Sequence, residues 1–404
     1  TVETGWGVAL ALLDFQSVLP VIAARLGTGW SSVAMLPVLY YAVFPIEVLS
    51  PYYTEALPRK KRLVWLAHLL PPVVWGALGI WLLSGPEPGT RSLAIFYGGW
   101  LLSYAVTGFL NPAWFDFMGK ITDPARRGSA FSLIFSFQSV AGLTAALIVS
   151  QLVKPVATSD FAWLFIVACI AAQVSNQAFA GTVEEAGSPP PPRPPLREYA
   201  RSLVVFLRED RSLRRYICAR AVTRAAPAIA TFYAVQATRH HPASVAVAFA
   251  ATVVAGKLTM SLSAWRFSDG LGMKPFLVAG YLALATAGAT VALADAYGLP
   301  LVAFYAVAFL VGCFQSADTS SNATFVMNLA PEGKRSSYLI AVNASLFPLA
   351  TGLPLLVGWI ADRLKAAGHG PAPLQAVVAG LVLLAAIFLA VMVDERRVRP
   401  RRSS

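Results

Sequence analysis

ARAVTRAAPAIATFYAVQ, residues 219–236, is apolar for most of its length, yet it carries Arg220 and Arg224 four residues apart. Either it is a buried helix of a soluble protein, or it crosses a membrane with its charges turned toward protein. The rest of the chain decides between these. It is 57% hydrophobic and only 13% charged, with a mean hydropathy of +0.62. A soluble domain carries about 25% charge. Apolar runs of roughly 20 residues, long enough to cross a bilayer, recur along the whole sequence. Twelve can be drawn, at about 4–25, 31–54, 63–84, 93–118, 129–153, 160–181, 213–238, 243–266, 275–295, 299–328, 337–362 and 373–393. A soluble helical protein has nothing here with which to cover so much apolar surface. The chain reads as an all-α membrane protein of twelve transmembrane helices.

The net charge of +12 raises the question of nucleic acid, but its placement argues against it. The loops after even-numbered spans and the C-terminal tail hold 23 of the 32 lysines and arginines, the opposite side holds 6, and 3 lie inside spans. That is the positive-inside pattern, and it predicts cytoplasmic termini. The basic clusters PRKKR (58–62), 193–215 and RRVRPRR (396–402) read as topology signals facing anionic lipid. Arginine well above lysine, with abundant alanine and proline, suits a GC-rich bacterial genome and hence an inner membrane. The first apolar segment is too long for a signal-peptide core and reads as a true span. Cys169, Cys218 and Cys313 all fall in predicted spans, where they read as small packing residues. No HExxH or other metal spacing and no nucleotide-binding motif is present, so no metal, cofactor or ATP is expected.

Residues 183–212 interrupt the spans. GSPPPPRPP (187–195) is expected to be extended, and LREYARSLVVFLREDRSLRRY after it suits an amphipathic cytoplasmic segment. The expected organisation is an N-terminal six-helix bundle (1–182), this linker, a C-terminal six-helix bundle (213–394) and a basic tail (395–404). The two halves resemble each other. PYYTEALPRK (51–60) and WRFSDGLGMK (265–274) both place an acid fifth and a base tenth. DPARRGSAFSL (123–133) and APEGKRSSYLI (330–340) both place a proline shortly before a basic pair and small residues that open the next helix. A repeat of six helices is a common way to build a transporter.

With these features the chain resembles the major facilitator superfamily along essentially its whole length. The superfamily's loop motif, G-x-x-x-D-[RK]-x-G-[RK]-[RK], is degenerate in the first copy, where Pro51, Glu55, Pro58, Arg59 and Lys60 occupy its places. The second copy keeps Asp269, Gly272 and Lys274 but begins with Trp265. A further GWIADRL (358–364) is read as following the eleventh helix. The segments NPAWFDFMGKITDPARRGSAFS and NLAPEGKRSSYL look like a poorly characterised prokaryotic branch. The resemblance implies two pseudo-symmetric bundles, with the first, fourth, seventh and tenth helices lining a central cavity. It also implies a gating latch made by Glu55 and Asp269 with Arg59, Lys60 and Lys274. An acid near a helix N-terminus with a basic partner is favourable. Topology and solvation alone are the competing account of these loop charges.

Ionisable groups inside a membrane usually face a protein interior or a wet cavity. Asp14 and Ser17 share a face of span one, with Gln16 on another. Span four carries Tyr104, Thr107, Asn111 and Trp114 on one face, span seven carries Arg220 and Arg224, and span ten carries Gln315, Asp318 and Asn322. At a rise of ~1.5 Å per residue, Arg224, Asp318 and Asp14 each reach roughly 15 Å deep, near mid-membrane. Arg224 therefore expects Asp318 or Asp14 as its counter-charge. Arg220, nearer the cytoplasm, is free to snorkel. The substrate-binding candidates are Asp14, Ser17, Asn111, Trp114, Arg220, Arg224, Tyr233, Gln315, Asp318 and Asn322. The coupling candidates are Asp14, Glu47 and Asp318, and Lys257 in span eight is a deep cation in want of an acid.

The expected function is secondary transport of a small organic solute, anionic if the arginines bind it, by alternating access and with protons as the simplest coupling partner. A monomer among membrane lipids is expected. A structural ion pair without substrate contact is the competing reading of Arg224. The rival transport reading is export of amphipathic or lipophilic compounds. The fifth helix, SAFSLIFSFQSVAGLTAALIVSQLV, has one glycine and no proline, unlike the drug–proton antiporters of the superfamily. A membrane-embedded enzyme would need a catalytic constellation within the spans, and His68 is the only histidine clearly inside one. A non-transporting sensor on the same fold would show no saturable flux in liposomes.

Overall fold

The computed structural model describes residues 2–27, 29–54, 57, 59–121, 127–153, 157–184, 195–329 and 335–394. The Pro-rich stretch of the linker, the basic tail and Glu55 lie outside them. The described residues form helices that make twelve passes. The first pass is α1 (Val2–Leu12) with α2 (Val18–Leu26), and the second is α3 (Trp30–Ala42) with α4 (Phe44–Thr54). Then come α5 (Lys61–Leu83), α6 (Thr90–Ile121), α7 (Arg127–Leu152) and α8 (Ala162–Asn176). After the linker helix α9 (Leu196–Glu209), the seventh pass is α10 (Arg211–Val222), α11 (Pro227–Ala230) and α12 (Phe232–His240). The last five are α13 (Val245–Leu271), α14 (Lys274–Tyr297), α15 (Leu301–Ser316) with α16 (Asn322–Leu329), α17 (Arg335–Ala366) and α18 (Ala372–Met392). Nine stretches among the described residues are long and apolar enough to span a membrane on their own. Large apolar side chains such as Ile80, Val174, Leu384 and Val391 stand exposed on the outside of the helices, as lipid-facing surface requires.

Four passes that read as continuous in sequence are interrupted: the second at Val43, the tenth at Ala317–Ser321, and the first of each bundle at mid-depth. Span one stops at Leu12 because Asp14 turns its carboxylate back on the chain. Its Oδ2 accepts from the Gln16 N–H at 3.0 Å and from the Ser17 hydroxyl at 2.8 Å, a local bond that competes with the helical ladder. Span seven, the opening stretch of the sequence, breaks at Pro227. Proline supplies no N–H and its ring clashes with the carbonyl four residues back, so the chain passes through a 3₁₀ turn at Thr223–Ala225. The Gln375 side chain on α18 donates to the Ala228 carbonyl at 3.1 Å, so a carbonyl in the broken region keeps a partner.

The end of the helices near the linker is the linker side; the opposite end is the far side. The bundles meet along α3 with α17 and α7 with α13. On the far side they are locked together. Asp362 of α17 caps the N-terminus of α3, accepting from the Trp30 N–H at 2.5 Å and the Ser31 N–H at 3.1 Å, and also from the Ser31 hydroxyl. Gly358, one turn earlier, lets the helices approach, since a Cβ there would sit 2.7 Å from the Ala34 Cβ. GWIADRL is therefore the last turns of the eleventh helix and not a segment after it, as the sequence reading has it. Trp30 packs on Phe232 with ring centroids 4.6 Å apart across the same seam. On the linker side α9 lies against the second bundle, with Phe206 5.1 Å from Tyr338 and Asp210 capping α10 at the Leu213 N–H, 3.0 Å away. The three cysteines are free, and Cys218 is exposed rather than packed.

Within the second bundle α13 and α15 cross backbone to backbone. A Cβ on Gly312 would collide with the Val253 carbonyl, whereas one on Gly352 would meet nothing within 4 Å. Gly312→Ala is expected to lower the thermal melting point of the purified protein by several degrees, since overpacking costs about 1–3 kcal/mol. Gly352→Ala is expected to hold or raise it, because alanine is the better helix former.

Candidate functional site

The break in the seventh pass sets the two arginines on either side of one carboxylate. Arg220 lies in the last turn of α10, and Arg224 sits in the 3₁₀ turn after it. Asp318 comes from a π-helical turn, Ala317–Ser321, between α15 and α16; such turns widen the helix and often occur at functional positions. Arg224 Nη2 lies 3.0 and 3.2 Å from the two Asp318 oxygens. Arg220 Nη2 lies 3.2 Å from Oδ1 and also donates to the Asp318 carbonyl at 3.2 Å. Arg220 Nη1 donates to the Tyr216 hydroxyl at 3.1 Å, which in turn donates to Asn322. Arg224 Nη1 donates to the Tyr41 hydroxyl at 2.5 Å. Tyr41 belongs to α3, so this contact ties the cluster to the first bundle.

The side chains of Arg220 and Arg224 are 6% and 4% exposed, and that of Asp318 is 15%. Arg220 does not snorkel; its charge is spent on Asp318. Of the two acids open to Arg224, the structure pairs it with Asp318. The cluster holds two cations and one anion, hence one surplus positive charge. Among the described residues the Nε donors of both arginines have no partner.

Asp14 forms a second cluster. It is buried with Ser17, and Lys257 of α13 approaches its Oδ1 to 3.9 Å across the seam. The rings of Phe15, Tyr40 and Tyr104 gather beside it, with Tyr40 edge-on to Tyr104 at 5.6 Å. Tyr233 is fully buried against Phe249 at 5.5 Å, and its hydroxyl has no partner among the described residues. Gln315 and Asn111 are half-buried. Trp114 packs in an apolar cluster with Val64, Phe117 and Phe179. Glu47 is half-buried in α4.

A family model described as the Major Facilitator Superfamily matches residues 52–353. The chain belongs to the Major Facilitator Superfamily. It is a membrane transporter and not an enzyme. No curated protein sequence matches the chain significantly. Among solved structures, an inward-open xylose transporter XylE from E. coli is 14% identical, with a TM-score of 0.66 over 98% of this chain and 95% of that one. The nucleoside transporter NupG gives 11% identity and a TM-score of 0.69 over 97% and 99%. An auto-inhibited POT family peptide transporter gives 14% and 0.66 over 100% and 97%. At such identities the likeness is one of fold.

The superfamily's loop motif is only partly within the described residues. Glu55 lies outside them, and the side chain of Asp269 is not described. Lys274 opens α14, Arg59 is exposed and Lys60 is buried. The acid found on this loop is Glu184, from the end of the first bundle. Its carboxylate accepts from the Lys60 and Lys61 N–H groups, both at 2.7 Å, and so caps α5. Sequence reading missed Glu184, Tyr41, Tyr216 and Asp362. GWIADRL carried a signal for the last; no spacing marked the others.

Removing the shared acid leaves two buried guanidinium groups without compensation. Asp318→Asn is expected to destabilise the folded protein by about 3–5 kcal/mol, more than Arg220→Ala does. Denaturant titration in detergent micelles measures both.

Proposed function

We propose that this transporter carries a small organic anion by alternating access, with the Arg220–Arg224–Asp318 cluster as its mid-membrane anchor. The surplus positive charge of that cluster supports the reading. A guanidinium binds carboxylate or phosphate through paired, directional hydrogen bonds, and each arginine keeps an unused Nε donor. The adjoining rings of Phe15, Tyr40 and Tyr104 suit a substrate with an apolar body. Asn322 holds Tyr216 and thereby Arg220, a positioning part. Ser17 does the same for Asp14.

Protons are the proposed coupling ion. Asp318 faces two cations within 3.2 Å, whereas Asp14 faces one at 3.9 Å. Removing the charge of Asp14 disrupts less, so Asp14 is the proposed proton carrier, with Glu47 as a second carboxylate nearer the linker side. The two bundles would rock about the site, with the linker side cytoplasmic in a bacterial inner membrane and the Pro-rich linker joining them. Export of an amphipathic compound is the second reading, favoured by the aromatic group beside Asp14.

The test is a thermal-shift screen with organic anions, neutral metabolites and lipophilic cations, followed by uptake in proteoliposomes. Ligand bound only by the folded state raises the melting temperature with concentration. Arg224→Ala is expected to raise the KM for anion uptake roughly ten- to hundredfold, since a hydrogen bond to a charged group contributes about 1.5–3 kcal/mol. An unchanged uptake KM in that variant sinks the anchor reading, and thermal shifts only with lipophilic cations favour export. Asp14→Asn is expected to keep solute exchange and lose accumulation driven by a pH gradient; if accumulation persists, Asp14 is not the carrier.

A further inference from the structure

On the far side a half-open pocket of about 270 Å³ lies between the bundles. Its wall includes Arg25 and Trp30 from the first bundle and Thr238, Arg239 and Lys365 from the second. The three cations come from the ends of three helices, α2, α12 and α17. This side of the molecule is poor in basic residues, as the positive-inside pattern dictates. Among the described residues its lysines and arginines are Arg25, Arg91, Arg239, Arg363 and Lys365, and three of these five meet at this one pocket. Topology accounts for the scarcity and not for the gathering.

Two acids lie nearby. Asp160 acts electrostatically on Arg25, and Asp362 is engaged at the N-terminus of α3. Among the described residues, Arg25, Arg239 and Lys365 against these two carboxylates leave one positive charge over. Arg239 is held in place, its guanidinium carbon 4.7 Å above the Trp30 ring, so its planar donor group is oriented in advance.

We propose that this pocket is a second anion site, separate from the Asp318 cluster. It takes a small soluble carboxylate or phosphate, and its occupant ties the bundles together on the far side. Arg25 reaches the anion from one bundle, and Arg239 and Lys365 from the other. The three come together only while that side is shut, so the anion binds the shut state better and shifts the population toward it. The site stands on its own geometry, whether or not the Asp318 cluster binds the transported solute.

The test uses the full chain in phosphatidylcholine nanodiscs, titrated with succinate and with inorganic phosphate by calorimetry. Far-side width is read in parallel as the distance between spin labels at Ser84 and Tyr297, with the native cysteines replaced. Wild type and Arg224→Ala are both expected to bind and to narrow on adding anion. The double variant Arg239→Gln, Lys365→Gln is expected to bind this anion at least tenfold more weakly and to show no narrowing. Binding lost in Arg224→Ala, binding unchanged in the double variant, no binding in wild type, or widening on adding anion each overturns the proposal. The titration is repeated in phosphatidylglycerol nanodiscs. If that lipid alone narrows the far side and abolishes phosphate binding, the occupant is a lipid headgroup and the soluble-anion assignment falls; equal affinity in both lipids supports it.

Discussion

One carboxylate between two guanidinium groups sets the terms for the middle of this molecule. Charges at that depth are tolerated only when paired or wet, so Asp318 must meet both arginines, and the backbone bends to bring them together. Pro227 and the 3₁₀ turn bring Arg224 around while Arg220 stays on its helix. The π turn at Ala317–Ser321 carries Asp318 to them. Tyr216 and Asn322 complete the donor set of Arg220, and Tyr41 that of Arg224. Irregular backbone here is a condition of the ion cluster.

Irregular backbone inside a bilayer must find new hydrogen-bond partners within the protein. The Asp14 carboxylate and Ser17 hydroxyl serve at the first break, and Gln375 serves at the seventh. The two breaks fall at the same place in each bundle, as the internal repeat demands. Each also carries a charge that reaches across the seam, Asp14 toward Lys257 and Arg224 toward Tyr41. Both breaks are therefore points where the bundles touch through polar groups, as is the Asp362 cap on α3. Polar contacts so placed change with any movement of one bundle against the other.

Much of this was legible in the sequence. Twelve apolar runs, the interruption at 183–212 and the matching loops led to two six-helix bundles, because hydrophobic burial in lipid leaves a period and a length behind. Depth arithmetic put Asp14, Arg224 and Asp318 at one level. It left their pairing open, since level says nothing about rotation around the bundle. Pro227 stood in plain view within residues 219–236, but hydropathy averages over a window and hides a single break. The π turn has no residue signature. Tyr41 and Tyr216 looked like any aromatic in a span, and only their hydroxyl bonds distinguish them. Glu184 was hidden for another reason: it caps a helix more than a hundred residues earlier in the chain, and a cap is recognised in sequence only when it is local. GWIADRL was read as a loop motif because its pattern matched one, while α17 simply runs on through it.

The two ends of the molecule are held by different kinds of contact. On the linker side, Glu184 with Lys60 and Lys61 joins parts of the first bundle, and Asp210 with Tyr338 joins parts of the second. On the far side, Asp362 reaches from one bundle to the helix terminus of the other, over a crossing that Gly358 makes close. A carboxylate at a helix N-terminus is favoured by the unpaired N–H groups and by the helix dipole. Opening the far side would strip that carboxylate of its partners and expose three N–H and O–H donors at once. Rearranging the linker side need break neither of its two intrabundle caps. The closed far side is thus the state in which these polar groups are satisfied.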